Sequence, residues 1–276
     1  MDDIKKMVKA ALAEDIGSGD LTSRLVVDSR AKGRGIIRAE SELVLAGMDA
    51  ARLTFLTVDP DIRFIAKFAD GKRLTKGKIV AQIEGRLRSL LAGERTALNF
   101  LQRASGIATL TAEFVKRARG TKAVILDTRK TTPGLRALDK AAVRAGGGHN
   151  HRIGLFDGIL IKDNHIVAAG SVVVALKRAK AGAPGGMKIE VEITSLKELE
   201  EAISAGADIV MLDNMNLSNI AKAVRQAKGR VLIEVSGGVN LKTVAKIAAT
   251  GVDFISVGAL THSAPAADIS MDIEKA

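Results

Sequence analysis

From residue 123 onward the chain alternates short apolar runs with helical patterns. The runs begin near Ala123, Gly158, Lys188, Asp208, Arg230 and Asp253, the last of them 20 to 23 residues apart. Helical patterns over residues 171–181, 195–205, 216–228 and 241–250 separate most of them, and Gly182, Gly206, Gly229 and Gly251 stand where those helices should stop. Short, continuous, partly β-branched runs at that spacing predict parallel βα units. Six such strands can make an open doubly wound sheet or a barrel. The strand ends decide between the two: they read Arg129-Lys130, Lys162-Asp163-Asn164, Glu192, Asp213-Asn214, Ser236-Gly237-Gly238 and Gly258-Ala259. A barrel gathers its chemistry from the C-terminal ends of many strands, whereas an open sheet uses mainly one switch point. The even spread favours a barrel, of fewer than eight strands.

The preceding part reads as a small α/β (α+β) domain. Residues 1–15 have an amphipathic helical pattern rather than that of a signal peptide, and residues 14–23 (EDIGSGDLTS) read as a turn-rich loop. Strand-like pieces follow at residues 35–38, 42–46, 62–68 and 78–82. A long helix is predicted over residues 90–119. Ala97, Leu98, Phe100, Leu101, Ala104, Ile107 and Ala108 share one face of it, and Arg95, Asn99, Gln102 and Gly106 the other. Exposed helix faces favour Lys and Glu, so Asn, Gln and Gly there point to a contact surface or site wall as readily as to solvent.

The formal charge of +11 calls for anionic partners. With no Trp, no Tyr and seven Phe, stacking platforms for single-stranded nucleic acid are scarce. No run is long enough to span a bilayer as a helix, so neither nucleic acid nor membrane is the expected partner. The absence of Cys excludes thiolate nucleophiles, Fe–S clusters and Cys-based zinc sites, and fits a cytoplasmic protein. Between Thr128 and His165 stand seven Lys/Arg, three Asp and three of the four His. Cations interleaved with Gly, His and Asn at strand ends suit a site that grips a polyanion better than a solvated loop. The glycines after the last two strands suit a phosphate. Glu190 and Glu192 share one strand parity, so both should point into the barrel. Glu192 and Asp213 at strand ends suit Mg²⁺, ribose hydroxyls or acid/base work. For Glu190 the competing reading is a structural ion pair with a strand-end lysine.

The order EDIGSGDLTS, ERTALNFLQRASGIAT, DTRKTTPGLR, KAAVRAGGGHNHRIGLFDGILIKDNH, IEVEI, MLDN, EVSGG and DFISVGALTHS resembles the quinolinate phosphoribosyltransferase family, over nearly the whole chain. The resemblance implies an N-terminal α/β domain over residues 1–105, including the start of the long helix, an incomplete (β/α) barrel as catalytic domain over 106–262, and a tail over 263–276 that returns to the first domain. It implies quinolinate and phosphoribosyl pyrophosphate as substrates, with Mg²⁺. It also implies homodimers that share active sites, in some members assembled as hexamers of three dimers. Arg129, His151 and Arg152 match positions that bind quinolinate carboxylates, and Arg95 matches an arginine supplied by the neighbouring subunit. Lys130 and Lys162 match lysines at the junction of the two substrates. Glu192 and Asp213 match acids near the ribose and Mg²⁺. Ser236, Gly237, Gly238, Gly258 and Ala259 match the 5-phosphate cradle, with His262 just after it.

Three other readings of the sequence compete with this one. A paralogue associated with molybdenum-transport loci shares much of the motif set but not the complete cluster of carboxylate-binding Arg and His. Nicotinate phosphoribosyltransferase handles a single carboxylate and needs no second clamp. A basic nucleic-acid-binding protein would explain the charge, but not why cations and acids meet at strand ends.

Overall fold

Helix α1 (Asp2–Ile16) forms on the amphipathic pattern of the N-terminus and buries Met7, Val8 and Leu12. The chain is seen in a computed structural model that describes residues 2–275. The EDIGSGDLTS segment is a turn only from Gly17 to Asp20, its first three residues ending α1. That side chain accepts the Ser23 N–H and caps a short second helix, α2 (Leu21–Val26). Then follow β1 (Lys32–Ala39), β2 (Leu43–Val44), α3 (Met48–Val58), β3 (Arg63–Ala66), β4 (Arg73–Leu74) and β5 (Ile79–Arg86). The predicted long helix is α4 (Leu87–Ala118). Beyond it come β6 (Val124–Leu126), α5 (Arg136–Ala145), β7 (Ile159–Ile161), α6 (Asp163–Ala169), α7 (Val172–Gly182) and β8 (Ile189–Ile193). The remainder is α8 (Leu196–Ser204), β9 (Ile209–Asp213), α9 (Leu217–Ala227), β10 (Leu232–Ser236), α10 (Val244–Ala248), β11 (Phe254–Ser256), α11 (Ala259–His262) and β12 (Ile269–Lys275). No helix of the described residues is long and apolar enough to cross a membrane.

The chain divides into two compact units that interleave in sequence. The first comprises Met1–Ala112, Thr131–Gly147 and Leu260–Ala276, the second Glu113–Lys130 and Gly148–Ala259. The first unit holds an antiparallel sheet in the order β12-β1-β5-β3. Its core includes Ile37, Leu43, Leu45, Phe55, Ile83, Leu90, Leu98 and Leu101. The α4 face carrying Ala97, Leu98, Leu101, Ala104, Ile107 and Ala108 is buried, as its periodicity predicts. Half of the polar face is covered by the chain itself. Gln102 donates to the Ile269 carbonyl at 2.8 Å and accepts the Ala267 N–H on its backbone. A Cβ on Gly106 would lie 2.0 Å from the Pro265 carbonyl oxygen. The residues before β12 therefore press on Gly106, and only Arg95 and Asn99 of that face stand exposed.

The second unit is a six-stranded, wholly parallel sheet in the order β6-β11-β10-β9-β8-β7. That is the order of consecutive barrel strands with one pairing missing, between β6 and β7. Gly148–Asn150 runs into this gap, where His149 bridges Leu126 in parallel. Alternate residues face opposite ways along each strand. Ile189, Val191 and Ile193 of β8 bury on the helix-covered side, which leaves Glu190 and Glu192 for the interior. By the same parity the interior receives Met211 and Asp213 from β9, and Glu234 and Ser236 from β10. Ser171, Ser195 and Asn216 cap the helices of these units, each accepting the N–H three residues on. Gly206, Gly229 and Gly251 take positive φ just past helix ends, whereas Gly182 is the last residue of α7.

Candidate active site

The interior acids stand at two levels. The upper level lies at the C-terminal ends of the strands. Glu192 is half-buried on β8, and its Oε2 takes the Lys162 Nζ at 2.5 Å. Lys162 follows β7 and caps α6. Its own N–H donates to His165 Nδ1 at 2.9 Å, so the KDNH segment is a helix start rather than a loop. Asp213 ends β9, and its Oδ2 accepts the Asn214 side chain at 2.8 Å. Asn214 takes φ +52° and donates its N–H to the Ser236 carbonyl at the end of β10. Next to it Gly237 takes φ +87°, and a Cβ there would lie 2.2 Å from Asn214 Oδ1. Glycine is required at 237 both by conformation and by this close approach. Gly238 is also left-handed, at φ +62°. Gly258 and Ala259 follow β11.

Arg129 and Lys130 follow β6. Lys130 is exposed, and its N–H is held by Thr128 Oγ1 at 3.0 Å. Arg152 is half-buried, and its Nη1 donates to the Gly158 carbonyl at 3.0 Å. Burial holds its guanidinium below the ordinary range, and the charge of Arg129 adds to this, against the opposing pull of Glu190 and Asp157.

The lower level is a polar cluster. His151 Nε2 lies 3.0 Å from Glu190 Oε2 and 3.7 Å from Glu234 Oε1. Glu190 therefore serves a histidine, not a strand-end lysine. Ser256 Oγ donates to Glu234 Oε1 at 2.5 Å. Burial, and then the neighbouring Glu190, push the Glu234 carboxyl up to about 8, against the opposing hydrogen bond from Ser256. His151 Nδ1 accepts the Arg152 backbone N–H at 2.7 Å, so both ring nitrogens are engaged within the chain. Asp127, wholly buried at the end of β6, accepts the His151 N–H at 2.8 Å and the Asn150 side chain at 2.6 Å. A cavity of about 960 Å³ reaches this cluster, lined by His151, Arg152, Glu190, Glu234 and the first residues of β6, β7, β9 and β11. It opens at the N-terminal strand ends. The groups of the upper level lie at the C-terminal ends, where parallel barrels do their chemistry.

Of the residues expected from the sequence, Arg129, Lys130, His151, Arg152, Lys162, Glu192, Asp213, Ser236, Gly237, Gly238, Gly258 and Ala259 all lie in the second unit. Arg95, exposed on α4, belongs to the first unit, as does His262, whose Nδ1 lies 2.6 Å from Ser263 Oγ. Sequence reasoning gave no role to Asp127, Asn214 or Glu234, although they stand inside the motifs DTRKTTPGLR, MLDN and EVSGG and Asn214 was read at a strand end. For Glu234 the available signal was the strand parity it shares with Ser236.

Comparison with known proteins bears on the whole chain. The model for the quinolinate phosphoribosyl transferase N-terminal domain matches residues 20–105, and that for the C-terminal domain residues 107–272. The chain is 45% identical over 270 residues to the probable nicotinate-nucleotide pyrophosphorylase (carboxylating) of Bacillus subtilis, covering 98% of this chain and 93% of that one. It is 43% identical to the nicotinate-nucleotide pyrophosphorylase (carboxylating) of Mycobacterium leprae, covering 99% and 98%. A solved structure of the nicotinate-nucleotide pyrophosphorylase from Francisella tularensis superposes with a TM-score of 0.93 at 42% identity, covering 99% and 96%. Both domain models match, in order, and relatives align from end to end over the same strands that carry the acids, the arginines and the glycine turns. This chain belongs to the quinolinate phosphoribosyltransferase family.

Proposed function

We propose that the barrel interior, from the strand-end acids down to Arg152, is the catalytic centre for phosphoribosyl transfer to quinolinate. The reaction joins quinolinate to the anomeric carbon of phosphoribosyl pyrophosphate through the pyridine nitrogen, with loss of pyrophosphate. The 2-carboxylate then leaves as CO₂, its electron pair retained at C2 and stabilised by the pyridinium charge until a proton replaces it. The product is nicotinate mononucleotide, a precursor of NAD.

One observation carries this reading: the chain is 43% identical over nearly its whole length to a nicotinate-nucleotide pyrophosphorylase (carboxylating), and in it the charges of Arg129 and Arg152 oppose one another. Neighbouring like charges disfavour one another unless an anion answers both. Two adjacent carboxylates on one ring are such an anion, and each can take a forked guanidinium. Lys130 and Lys162 stand beside the junction of the substrates. Glu192 and Asp213 face the ribose, where their charge counters the cationic character of the anomeric carbon in the transition state. The backbone at Ser236, Gly237, Gly238, Gly258 and Ala259 receives the 5-phosphate.

Glu192 and Asp213 each engage one carboxylate oxygen and keep the other. Two hard oxygen donors suit Mg²⁺, which takes its other ligands from phosphates and water. When bound it neutralises the leaving pyrophosphate. In a homodimer, or a hexamer of three such dimers, the exposed Arg95 is lent to the partner's site. An assay of the purified protein with quinolinate, phosphoribosyl pyrophosphate and Mg²⁺ tests the proposal. Stoichiometric CO₂ and nicotinate mononucleotide are expected, and turnover of nicotinic acid at similar efficiency would overturn it.

A further inference from the structure

The lower level is not absorbed by that account. Two carboxyls, each at most 5% exposed, and one histidine lie deep in the barrel, all within 4.8 Å of one another. Glu190 Oε1 is buried without a hydrogen-bond partner. Such spacing would suit a cation, but the histidine argues against one. Its Nδ1 accepts a backbone N–H at 2.7 Å, so that nitrogen carries a lone pair. In a neutral ring the proton then sits on Nε2, which faces Glu190 as a donor and has no lone pair for a metal.

We propose that Glu190, together with Glu234, is a positioning residue for the quinolinate clamp and acts through the neutral ring of His151 to hold Arg152. The path is continuous. Ser256 holds Glu234, Glu190 and Glu234 face His151 Nε2, and His151 Nδ1 holds the Arg152 backbone. Asp127 fixes the His151 backbone on one side, and the Gly158 carbonyl fixes the Arg152 guanidinium on the other. A ring with the opposite tautomer would set Nδ1–H against the Arg152 N–H, two donors face to face. The acceptor below the ring therefore selects the tautomer above it, as a carboxylate behind a histidine commonly does. His151 serves the substrate by fixing Arg152, since both of its nitrogens are already engaged.

This inference rests on the proposed quinolinate site, and its test separates the two. Nitrogen-15 NMR of the histidines at pH 7, with His151 assigned by substitution, reads the tautomer without substrate. The expected signature is a protonated Nε2 and an unprotonated Nδ1. Calorimetry then measures quinolinate binding, and kinetics the two KM values. Glu190→Leu removes the acceptor and should weaken quinolinate about tenfold or more, leaving the KM of phosphoribosyl pyrophosphate within about twofold. Glu190→Gln keeps an amide oxygen as acceptor and should restore most of the affinity. A wild-type ring protonated on Nδ1, or on both nitrogens, overturns the proposal, and it does so even where Glu190→Leu fails to fold. Equal losses for both substrates in a folded Glu190→Leu protein overturn it too. A wild-type protein with the expected tautomer that does not bind quinolinate refutes the substrate assignment instead, and with it the role given to Arg152.

Discussion

Lys162 Nζ lies 2.5 Å from Glu192 Oε2, so a cation from the end of β7 and an anion from the neighbouring strand β8 form one unit inside the barrel. Either partner alone leaves an unanswered charge in a half-buried site. Glu192→Gln and Asp213→Asn keep shape but remove charge. They should lower kcat by about 10²-fold or more while quinolinate affinity changes little, because their charge matters most when the ribose becomes cationic. Steady-state kinetics with calorimetric quinolinate binding checks this. A loss confined to affinity would take both acids out of the transition state.

Arg129→Lys and Arg152→Lys keep the charge and lose the fork. Each should weaken quinolinate by about 1.5–3 kcal/mol, the range for hydrogen bonds to charged groups. Unchanged quinolinate affinity in both variants would remove the pair from the clamp.

Gly237→Ala places a methyl group against Asn214 Oδ1 at a φ of +87°. Asn214 must move, and the turn after β10 with it. The KM of phosphoribosyl pyrophosphate should rise about tenfold while quinolinate binding holds. If the two substrates lose affinity equally, the turn is not a dedicated phosphate cradle.

Glu234 makes stability depend on pH. Below pH 4.5 its carboxyl is protonated in the folded and the unfolded chain alike. Between 4.5 and about 8 the unfolded chain releases that proton and the folded chain keeps it, so this group disfavours folding progressively as pH rises. Glu234→Gln is neutral throughout. Its stability relative to wild type should increase by roughly 1–3 kcal/mol from pH 5 to pH 8. Urea unfolding at both pH values measures the difference, and an identical difference at each would contradict the raised pKa.

Arg95→Ala and Lys130→Ala proteins should each be nearly inactive. In the proposed homodimer, after demonstrated subunit exchange, about half of the dimers would be mixed and each mixed dimer would hold one intact site, so activity should return to roughly a quarter of wild type. Exchange without recovery would place Arg95 outside the partner's site.

Much of the second unit was legible because its strands are buried on both sides and announce themselves as apolar runs. Helix α5 was not. Its buried face includes Asp139 and Lys140, which a pattern of apolar residues cannot reveal. Asp139 is buried because Arg103 on α4 pairs with it through two bonds of 2.8 Å each, a contact 36 residues away in sequence. The partner of Glu190 was hidden for the same reason. Strand parity shows which way a side chain points, but not which distant loop arrives to meet it. Strand β12 did carry a signal, the alternation of Ile269, Met271 and Ile273, and it pairs with β1 along seven residue pairs. Glu234 was read as part of an apolar run because Ile233 and Val235 flank it.

The pairing of β12 with β1 has a bearing on how the protein is born. During synthesis β1 leaves the ribosome early and waits with one edge of backbone donors and acceptors unsatisfied until residues 269–275 emerge. All six strands of the second unit appear within that interval. The nascent chain can thus assemble its later-encoded parallel sheet while its earlier-encoded one still lacks an edge strand, and a stalled chain that ends before Ile269 would present that bare edge to its neighbours.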